Sequence, residues 1–261
     1  MFKDKPSLSW WIYAIPLLPL AIYLSDLTSS QNQAWFISIN QQTARLPDLI
    51  WTSLSMLGNG WSVFALALPM LLFARKPLYA AIISGVFAGI FSNLAKTFFN
   101  TSRPAGVIDQ GVIHIIEHPL LHSAMPSGHT MTAFSIATAI YFSLDSKNKT
   151  MGLILFILAA GAGLSRIAVG AHWPEDVFVG CALGITSGLI GAVLVQYVPT
   201  SLFAIKAWPV KVILIASLMC LYLLITDTID FVLNANLQIV LAGLIIITWI
   251  QAIPRIIDQE R

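Results

Sequence analysis

Two histidines in separate parts of the chain have neighbours suited to acid–base and nucleophilic chemistry. Asp176 follows His172 by four residues, so its carboxylate can accept a hydrogen bond from one imidazole nitrogen and leave the other nitrogen free to attack. His129 follows Ser127 and Gly128 at the expected start of a helix, where a serine cap and free backbone N–H groups favour an anion. The pattern predicts a nucleophilic histidine and a second histidine beside a bound anion.

Three basic side chains accompany the histidines in the sequence. Lys96 and Arg103 are seven residues apart, which is nearly two helical turns and places both on one face while the helix lasts. Arg166 lies six residues before His172. Phosphoryl transfer requires cations on the equatorial oxygens, an activated nucleophile and an acid for the leaving group. The three basic residues therefore predict a clamp for a phosphoryl group.

The composition indicates which elements must position these residues. Hydrophobic residues make up 57% of the 261 residues and charged residues only 10%, whereas soluble domains contain about 25% charged residues. The mean hydropathy of +0.80 also indicates a polytopic membrane protein. The net charge of +2 is small and does not bear on nucleic-acid binding, but no basic cluster interleaved with aromatic residues is present, so we expect no nucleic-acid partner. Cys181 and Cys220 lie far apart in apolar runs and predict neither a disulfide nor a metal site.

Eight apolar runs predict an all-α polytopic membrane helix bundle that forms a single membrane domain over residues 1–261. Several runs approach the ~20 residues that a helix needs to cross the hydrocarbon core of a bilayer. The second run is short, and residues 49–57 can extend it. The segment 31–48 mixes apolar and polar residues and predicts an amphipathic helix at the membrane interface. The runs occupy residues 8–25, 61–74, 77–98, 129–144, 150–168, 175–198, 208–226 and 235–253.

The distribution of lysine and arginine predicts the orientation of the spans. With the N-terminus in the cytoplasm, ten of the fourteen basic residues fall on the cytoplasmic side of the membrane. These ten are Lys3, Lys5, Arg75, Lys76, Lys147, Lys149, Lys206, Lys211, Arg255 and Arg261. The remaining four are Arg45, Lys96, Arg103 and Arg166. We therefore expect an integral plasma (inner) membrane protein with both termini in the cytoplasm and the motif residues on the periplasmic or extracellular face.

Three motifs, in this order, resemble the three-part signature of the type 2 phosphatidic acid phosphatase family, also called lipid phosphate phosphatases. They are K-x6-R-P from Lys96, P-S-G-H from Pro126 and S-R-x5-H-x3-D from Ser165, and every signature position is filled. The resemblance covers about residues 90–195 and implies a core of six helices. It leaves two additional predicted spans, within residues 205–255, outside the signature.

The resemblance also implies a role for each motif residue. His172 would form a phosphohistidine, Asp176 would orient it, and His129 would protonate the leaving group. The outer face offers too few grouped carboxylates for a two-metal phosphatase, so we expect neither a metal nor a cofactor. The residues that would bind the phosphoryl oxygens are Lys96, Arg103, Ser127, Gly128 and Arg166.

The activity implied by the resemblance is removal of a terminal phosphate from a membrane lipid. Phosphatidic acid, phosphatidylglycerol phosphate, undecaprenyl diphosphate and the phosphates of lipid A all suit such a site. A lipid-to-lipid phosphotransferase is an alternative, because it shares the chemistry up to the phosphohistidine. An anionic-substrate transporter is a second alternative, but the three cations lie at span ends and no inverted repeat is visible. The expected partners are a lipid phosphate and the bilayer, and the oligomeric state stays open.

One further segment matches a different catalytic pattern. His114, Glu117 and His118 fit the H-x-x-E-H arrangement of inverted zinc proteases, which places both histidines on one face of a helix. Pro119 directly after His118 disfavours a helix at that point. The surrounding stretch, residues 105–125, is also too short for a protease domain, so we expect no zinc at these residues.

Overall fold

The structure is a computed structural model that describes residues 8–26, 29–145 and 149–258. The described residues form helices joined by irregular connections and contain no β-strand, which confirms the predicted all-α membrane bundle. The α-helices are α1 (Leu17–Asp26), α2 (Ser29–Thr43), α3 (Asp48–Met56), α4 (Gly60–Ala67), α5 (Met70–Phe73), α6 (Arg75–Phe99), α7 (Gly128–Ser143), α8 (Lys149–Ala168), α9 (Pro174–Leu194), α10 (Trp208–Thr226) and α11 (Ala235–Asp258).

Helix length and hydropathy identify the segments that can cross a membrane. Four helical segments of the described chain qualify, with bounds Arg75–Gly106, Pro174–Tyr197, Trp208–Thr226 and Val232–Asp258, and a bent pair adds a fifth. The apolar helix Trp10–Leu24 and the apolar part of α8 are shorter, and α7 has 16 residues. The protein is an integral membrane protein, whereas the eight-span topology stays a prediction. Four members of the predicted cytoplasmic set lie outside the described residues, namely Lys3, Lys5, Lys147 and Arg261.

The centre of the bundle is the contact of α9 with α6 and α7. Gly180, Gly184 and Gly188 on one face of α9 each oppose a carbonyl oxygen of α7. A Cβ atom at these positions would lie 2.6 to 2.7 Å from such an oxygen, which is closer than real Cβ atoms approach. The glycines therefore allow α7 and α9 to pack with their backbones in close contact. This packing places the start of α7, with His129, beside the start of α9, with Asp176.

A sharp bend interrupts the second apolar run. Helix α3 is inclined by 70° to the following segment, which contains α4 and α5, so the predicted extension toward residue 49 does not continue this span in line. Asn59 caps α4, because its Oδ1 accepts the N–H of Trp61 at 3.0 Å. Gly58 lies so close to the backbone of His129 that a Cβ atom would clash there. The bend therefore brings Asn59 next to the first turn of α7.

Helices α10 and α11 form a separate layer outside the segment that carries the sequence motifs. They pack against each other and against α4 and α5. Leu68, Val210 and Ile245 are fully buried in the core that these helices share. This arrangement agrees with two C-terminal helices outside the motif region, whereas the predicted count of six helices in the core stays a prediction. The connection between α10 and α11, residues 227–234, turns back toward the bend between α3 and α4.

Candidate active site

His172 lies in the tight connection between α8 and α9. Its backbone N–H donates to the carbonyl oxygen of Arg166 at 3.1 Å. Gly170 in the same turn has a left-handed φ of 79°, and a Cβ atom there would lie 2.7 Å from the carbonyl oxygen of His114. Pro174 occupies the first turn of α9 and ends the connection. The turn thus holds the imidazole at the N-terminal end of α9, with 2% of the side chain exposed.

Asp176 binds both the backbone and the imidazole of this turn. Its Oδ2 accepts the N–H of Trp173 at 2.8 Å, which caps α9, and lies 3.2 Å from Nδ1 of His172. The carboxylate is fully buried. One residue therefore fixes the start of the helix and the orientation of the imidazole ring at the same time.

Arg103 approaches His172 from the opposite side of the ring. Its Nη1 lies 3.2 Å from Nε2 of His172 and also donates to the carbonyl oxygen of Ala171 at 3.0 Å. Its Nε donates to the carbonyl oxygen of His122 at 2.7 Å. Because a guanidinium group only donates, Nε2 of His172 is the acceptor, and Nδ1 carries the proton that faces Asp176. The lone pair of Nε2 therefore lies on the side of the cation.

The surroundings of His172 keep its imidazole neutral. Burial, followed by the positive charges of Arg103, Arg166, His129 and Lys96, lowers the pKa of His172 well below its usual value of 6.5. A neutral imidazole retains the lone pair that a nucleophile needs. The four groups that lower the pKa also show that the three sequence motifs converge on one site.

Arg166 and Lys96 complete the positive lining. Arg166 is 4% exposed, and its guanidinium group donates through Nη1 to the hydroxyl of Ser55 in α3. Among the described residues, the buried Nε of Arg166 has no hydrogen-bond partner. Lys96 lies in the last turn of α6, and no hydrogen bond joins its ammonium group to another described side chain. Both cations therefore keep donors that a phosphoryl group can use.

Ser127 and Gly128 form the start of α7, as the sequence predicts. Oγ of Ser127 accepts the hydroxyl of Thr130 at 2.9 Å and its backbone N–H at 3.4 Å. The backbone N–H of Ser127 donates to the carbonyl oxygen of Asp176 at 3.0 Å, which ties the two helix starts together. The described contacts of Ser127 are those of a cap, and its role in phosphate binding, like that of Gly128, stays a prediction.

His129 lies in the first turn of α7 and is 21% exposed. Its Nε2 lies 2.8 Å from Oδ2 of Asp230, a residue of the connection between α10 and α11. The same oxygen of Asp230 accepts a hydrogen bond from Nδ2 of Asn59 at 3.2 Å. The sequence predicted neither Asp230 nor Asn59 as part of the site, since both lie outside the three motifs.

A cleft of about 740 Å³ begins at His129 and runs along α4, α6 and α7. Most of its lining is apolar, and Ala216 of α10 closes one side. Gly85 and Gly89 lie on the α6 wall, where an added Cβ atom would meet nothing within 4 Å. The cleft joins His129 to a space of the size and polarity that a hydrocarbon chain requires.

Helix α2 supports the site instead of lying only at the interface. Asn40 is fully buried, donates to the carbonyl oxygens of Ile167 and Ala168 at 3.0 and 3.1 Å, and accepts the N–H of His114 at 2.7 Å. Phe36, one turn earlier, is also fully buried and packs edge-on against Trp173, with ring centroids 5.2 Å apart. The predicted amphipathic helix exists, but its inner face holds the turn that carries His172.

The zinc-protease pattern does not form its own site. Residues 107–127 contain no helix, in agreement with the prediction from Pro119. Nε2 of His114 lies 2.8 Å from Oδ1 of Asp48, and Glu117 accepts the backbone N–H of Leu233 at 3.2 Å. The two residues therefore bind different parts of the protein. The expected absence of a metal stays a prediction.

Comparison with known protein families identifies the family of this chain. Residues 63–200, which include all three motifs and helices α6 to α9, match the sequence profile of the PAP2 superfamily. The chain belongs to the PAP2 superfamily. The type 2 phosphatidic acid phosphatase resemblance inferred from the motifs is thereby confirmed.

Individual proteins with known names also match part of the chain. Lipid A 1-phosphatase from Porphyromonas gingivalis is 30% identical over 116 residues, which are 44% of this chain and 23% of that protein. Undecaprenyl-diphosphatase from Sulfolobus acidocaldarius is 27% identical over 181 residues, which are 67% of this chain and 85% of that protein. The crystal structure of LpxE from Aquifex aeolicus superimposes with a TM-score of 0.56 at 32% identity, over 64% of this chain and 97% of that one. The chain thus spans less than a quarter of the first relative.

Proposed function

We propose that this protein is a membrane lipid phosphatase that removes a terminal phosphate through a phosphohistidine on His172, without a metal. The observation that carries the proposal is the position of His172 between two groups of opposite charge. Asp176 holds the protonated Nδ1, and Arg103 lies beside the lone pair of Nε2. This arrangement gives a neutral nucleophile next to a cation that can receive phosphoryl oxygens.

The first half of the reaction forms the phosphohistidine. Nε2 of His172 bonds to phosphorus while the bond from phosphorus to the leaving oxygen breaks. His129 gives a proton to the leaving oxygen, so the lipid departs as an alcohol or as a lipid phosphate. Arg103 turns its Nη1–H from Nε2 to a phosphoryl oxygen, and this exchange frees the lone pair at the moment of attack.

The second half returns the enzyme to its starting state. Water attacks phosphorus and gives a proton to His129, the bond from phosphorus to Nε2 breaks, and inorganic phosphate leaves. The cations Lys96, Arg103 and Arg166 stabilise the charge on the phosphoryl oxygens in both halves. Three fixed cations supply the charge neutralisation that divalent metals supply in other phosphatases.

The proposed substrate class is a lipid with a terminal phosphate or diphosphate on a long hydrocarbon chain, and undecaprenyl diphosphate is the preferred member. Three cations suit a diphosphate because the additional negative charge must also be neutralised. The similarity to the undecaprenyl-diphosphatase from Sulfolobus acidocaldarius, which extends over 85% of that protein, supports this choice. The similarity to lipid A 1-phosphatase over 116 residues favours a lipid A phosphate as the second candidate.

A phosphate-release panel tests the proposal. Purified protein in one detergent is given phosphatidic acid, phosphatidylglycerol phosphate, undecaprenyl diphosphate or lipid A, and released phosphate is measured. We expect the wild type to release phosphate from undecaprenyl diphosphate. The control variant His118→Ala, at an exposed position, should release it at the same rate. His172→Ala should show about 1% of that rate or less. A folded wild type that releases phosphate from none of the four lipids would contradict the proposal. If phosphate instead moves to a second added lipid, the protein is a phosphotransferase.

The intermediate has its own test. A phosphohistidine is labile in acid and stable in base, so brief reaction with ³²P-labelled substrate followed by an alkaline quench should leave label on the wild-type protein. His172→Ala should carry no label, whereas His129→Ala should accumulate it with a substrate that has a good leaving group, because dephosphorylation lacks its base. Equal labelling of wild type and His172→Ala would remove His172 as the nucleophile.

We also propose that the active site faces the periplasm or the cell exterior. The distribution of basic residues supports this orientation, because ten of the fourteen lie on the predicted cytoplasmic side. Lys96, Arg103 and Arg166 lie on the other side, where the proposed binding of phosphate requires them. The catalytic groups lie at helix ends, so we expect them at the depth where a lipid presents its phosphate without leaving the bilayer.

A further inference from the structure

A carboxylate from the C-terminal pair of helices contacts the proposed general acid. Asp230 lies outside residues 63–200, the part of the chain that matches the PAP2 superfamily. Its Oδ2 lies 2.8 Å from Nε2 of His129 and 3.2 Å from Nδ2 of Asn59. The side chain of Asp230 is 18% exposed, so water screens the pair only partly.

The connection that carries Asp230 is fixed by two buried amide side chains. Gln238 of α11 accepts the N–H of Ile229 at 3.3 Å and donates to the carbonyl oxygen of Asp227 at 2.7 Å. Asn234 is fully buried and donates to the carbonyl oxygen of Thr52 in α3 at 3.1 Å. These bonds hold the connection on both sides of Asp230, so the carboxylate is positioned by the fold.

The connection also contacts the turn of the third motif. Phe231 is buried in a small core with Trp51 and Ala171, the residue before His172. The guanidinium carbon of Arg166 lies 6.0 Å from the centre of the Phe231 ring. The connection between α10 and α11 therefore contacts both the turn that carries His172 and the side chain of Arg166.

We propose that Asp230 is a positioning residue that holds His129 through Nε2 and makes Nδ1 the atom that carries the catalytic proton. This inference rests on the proposed role of His129 as general acid. A carboxylate only accepts hydrogen bonds, so Nε2 of His129 bears a hydrogen whenever it pairs with Asp230. In the described part of the chain no hydrogen bond engages Nδ1, and His129 lines the cleft.

The proton path follows from this assignment. Nδ1 of His129 gives its proton to the leaving oxygen as Nε2 of His172 bonds to phosphorus. In the second half, Nδ1 takes a proton from the attacking water as the bond from phosphorus to Nε2 breaks. Nε2 of His129 keeps its hydrogen and its bond to Asp230 throughout, which is the arrangement that prevents the ring from turning away.

The charges around His129 explain why it needs an anionic partner. Burial and the cations Arg166 and Lys96 oppose a positive charge on His129, whereas Asp230 favours it. Burial acts to raise the pKa of Asp230, but the charge of His129 and its hydrogen bond, with the charge of Arg166, lower it overall. The carboxylate of Asp230 therefore stays ionised at neutral pH. Its negative charge stabilises the protonated form of His129, which lies among cations.

The test compares Asp230→Asn with two matched controls. Asp227→Asn changes a carboxylate in the same connection, and Asp48→Asn removes the carboxylate that pairs with His114. The titration midpoint of the His129 ring is measured by NMR on protein labelled with ¹⁵N-histidine in detergent. We expect the midpoint to fall by about one pH unit in Asp230→Asn and to stay in place in both controls. Asp230→Glu, which keeps the charge, should restore most of the shift.

The second measurement on Asp230→Asn is its phosphatase activity on two lipids. With phosphatidic acid, whose leaving group is a strong base, Asp230→Asn should lose about tenfold or more, and the basic limb of its pH–rate profile should move to lower pH. Undecaprenyl diphosphate has a weakly basic leaving group, so its turnover should change less. A loss of equal size for both substrates, at an unchanged basic limb, would indicate a merely structural effect and overturn the proposal.

Two other outcomes separate this inference from the proposed function. An unchanged His129 midpoint, or faster turnover in Asp230→Asn because the carboxylate competes with phosphate, overturns the positioning role and leaves the phosphatase assignment intact. If the wild type cleaves no lipid but the midpoint falls in Asp230→Asn, the proposed function fails while the pairing of Asp230 with His129 stands.

Discussion

Nη1 of Arg103 lies 3.2 Å from Nε2 of His172, so the cation and the attacking lone pair are paired before any phosphate enters. The same guanidinium group donates to the carbonyl oxygens of Ala171 and His122, which belong to two different loops. Arg103 therefore joins the end of the first motif to the turn of the third. Its position predicts two separable contributions, one from charge and one from the shape of the guanidinium fork.

Replacement of Arg103 should separate these contributions. Arg103→Ala should lower kcat by about 10²–10³, because it removes a preorganised donor to the phosphoryl oxygens. Arg103→Lys keeps the charge but not the fork, so it should retain more activity than Arg103→Ala. Steady-state kinetics on undecaprenyl diphosphate measures both, with the exposed Arg45→Ala as control. Activity of Arg103→Ala within a few-fold of the wild type would argue against the clamp.

The two roles of Asp176 are also separable. Asp176→Asn can still place an oxygen that accepts the N–H of Trp173 and caps α9, but it removes the carboxylate charge that orients the ring of His172 and stabilises the positive charge the ring gains when Nε2 bonds to phosphorus. We expect a loss of about 10³–10⁴ in kcat with little change in thermal stability. The neighbouring Glu175→Gln should show neither effect. A large fall in the unfolding temperature of Asp176→Asn would indicate that the carboxylate serves mainly the fold.

The acidic limb of the pH–rate profile should lie below the usual range of histidine. His172 attacks only when neutral, and its pKa is lowered well below 6.5, so activity is lost as the pH falls through that lower value. Between pH 6.5 and 8 the nucleophile should not limit the rate. The measurement is kcat against pH, divided by the ionised fraction of the substrate from ³¹P NMR of the same micelles. An acidic limb above pH 6.5 that remains after this division would show that His172 is more exposed than the structure indicates.

The parts of the site predicted from the sequence are those that local spacing determines. The distance of four residues from His172 to Asp176 predicts their pairing, because a helix starts between them. Asp230, Asn59 and Asn40 lack such local patterns. Asp230 contacts His129 across 101 positions, and Asn40 contacts the end of α8 across 127 or more. Such contacts depend on how the helices pack, which the apolar runs alone do not specify.

The bend between α3 and α4 shows the same limit. Hydropathy treats residues 49–74 as one extended span, because both halves are apolar. The 70° bend arises where Gly58 meets the backbone of α7 and Asn59 caps the next helix. Asn59 before an apolar run is a cap signal that could have located the break. Its second contact, with Asp230, could not have been found in this way.

The predicted orientation can be tested by labelling of single cysteines. Cys181 and Cys220 are first replaced by serine or alanine, and then Asp109→Cys or Lys206→Cys is introduced, both at exposed positions. An impermeant thiol reagent applied to intact cells should label Asp109→Cys only, because Asp109 shares the connection between α6 and α7 with Arg103. Lysed cells should show both labelled. Labelling of Lys206→Cys alone in intact cells would invert the topology.

The cleft predicts how chain length affects catalysis. Gly85 and Gly89 lie on its α6 wall with open space beyond each, so leucine there projects into the cleft without a clash. We expect Gly85→Leu with Gly89→Leu to raise KM for undecaprenyl diphosphate about tenfold or more, since the leucine side chains occupy space that the hydrocarbon chain would fill and overpacking costs about 1–3 kcal/mol. A short-chain phosphatidic acid should be affected much less. The matched control is Gly243→Leu, which also has open space around it but lies in α11, outside the cleft. Equal rises in KM for long and short chains would show that the double variant disturbs the headgroup site, whereas an unchanged KM for both would place the hydrocarbon chain elsewhere on the protein.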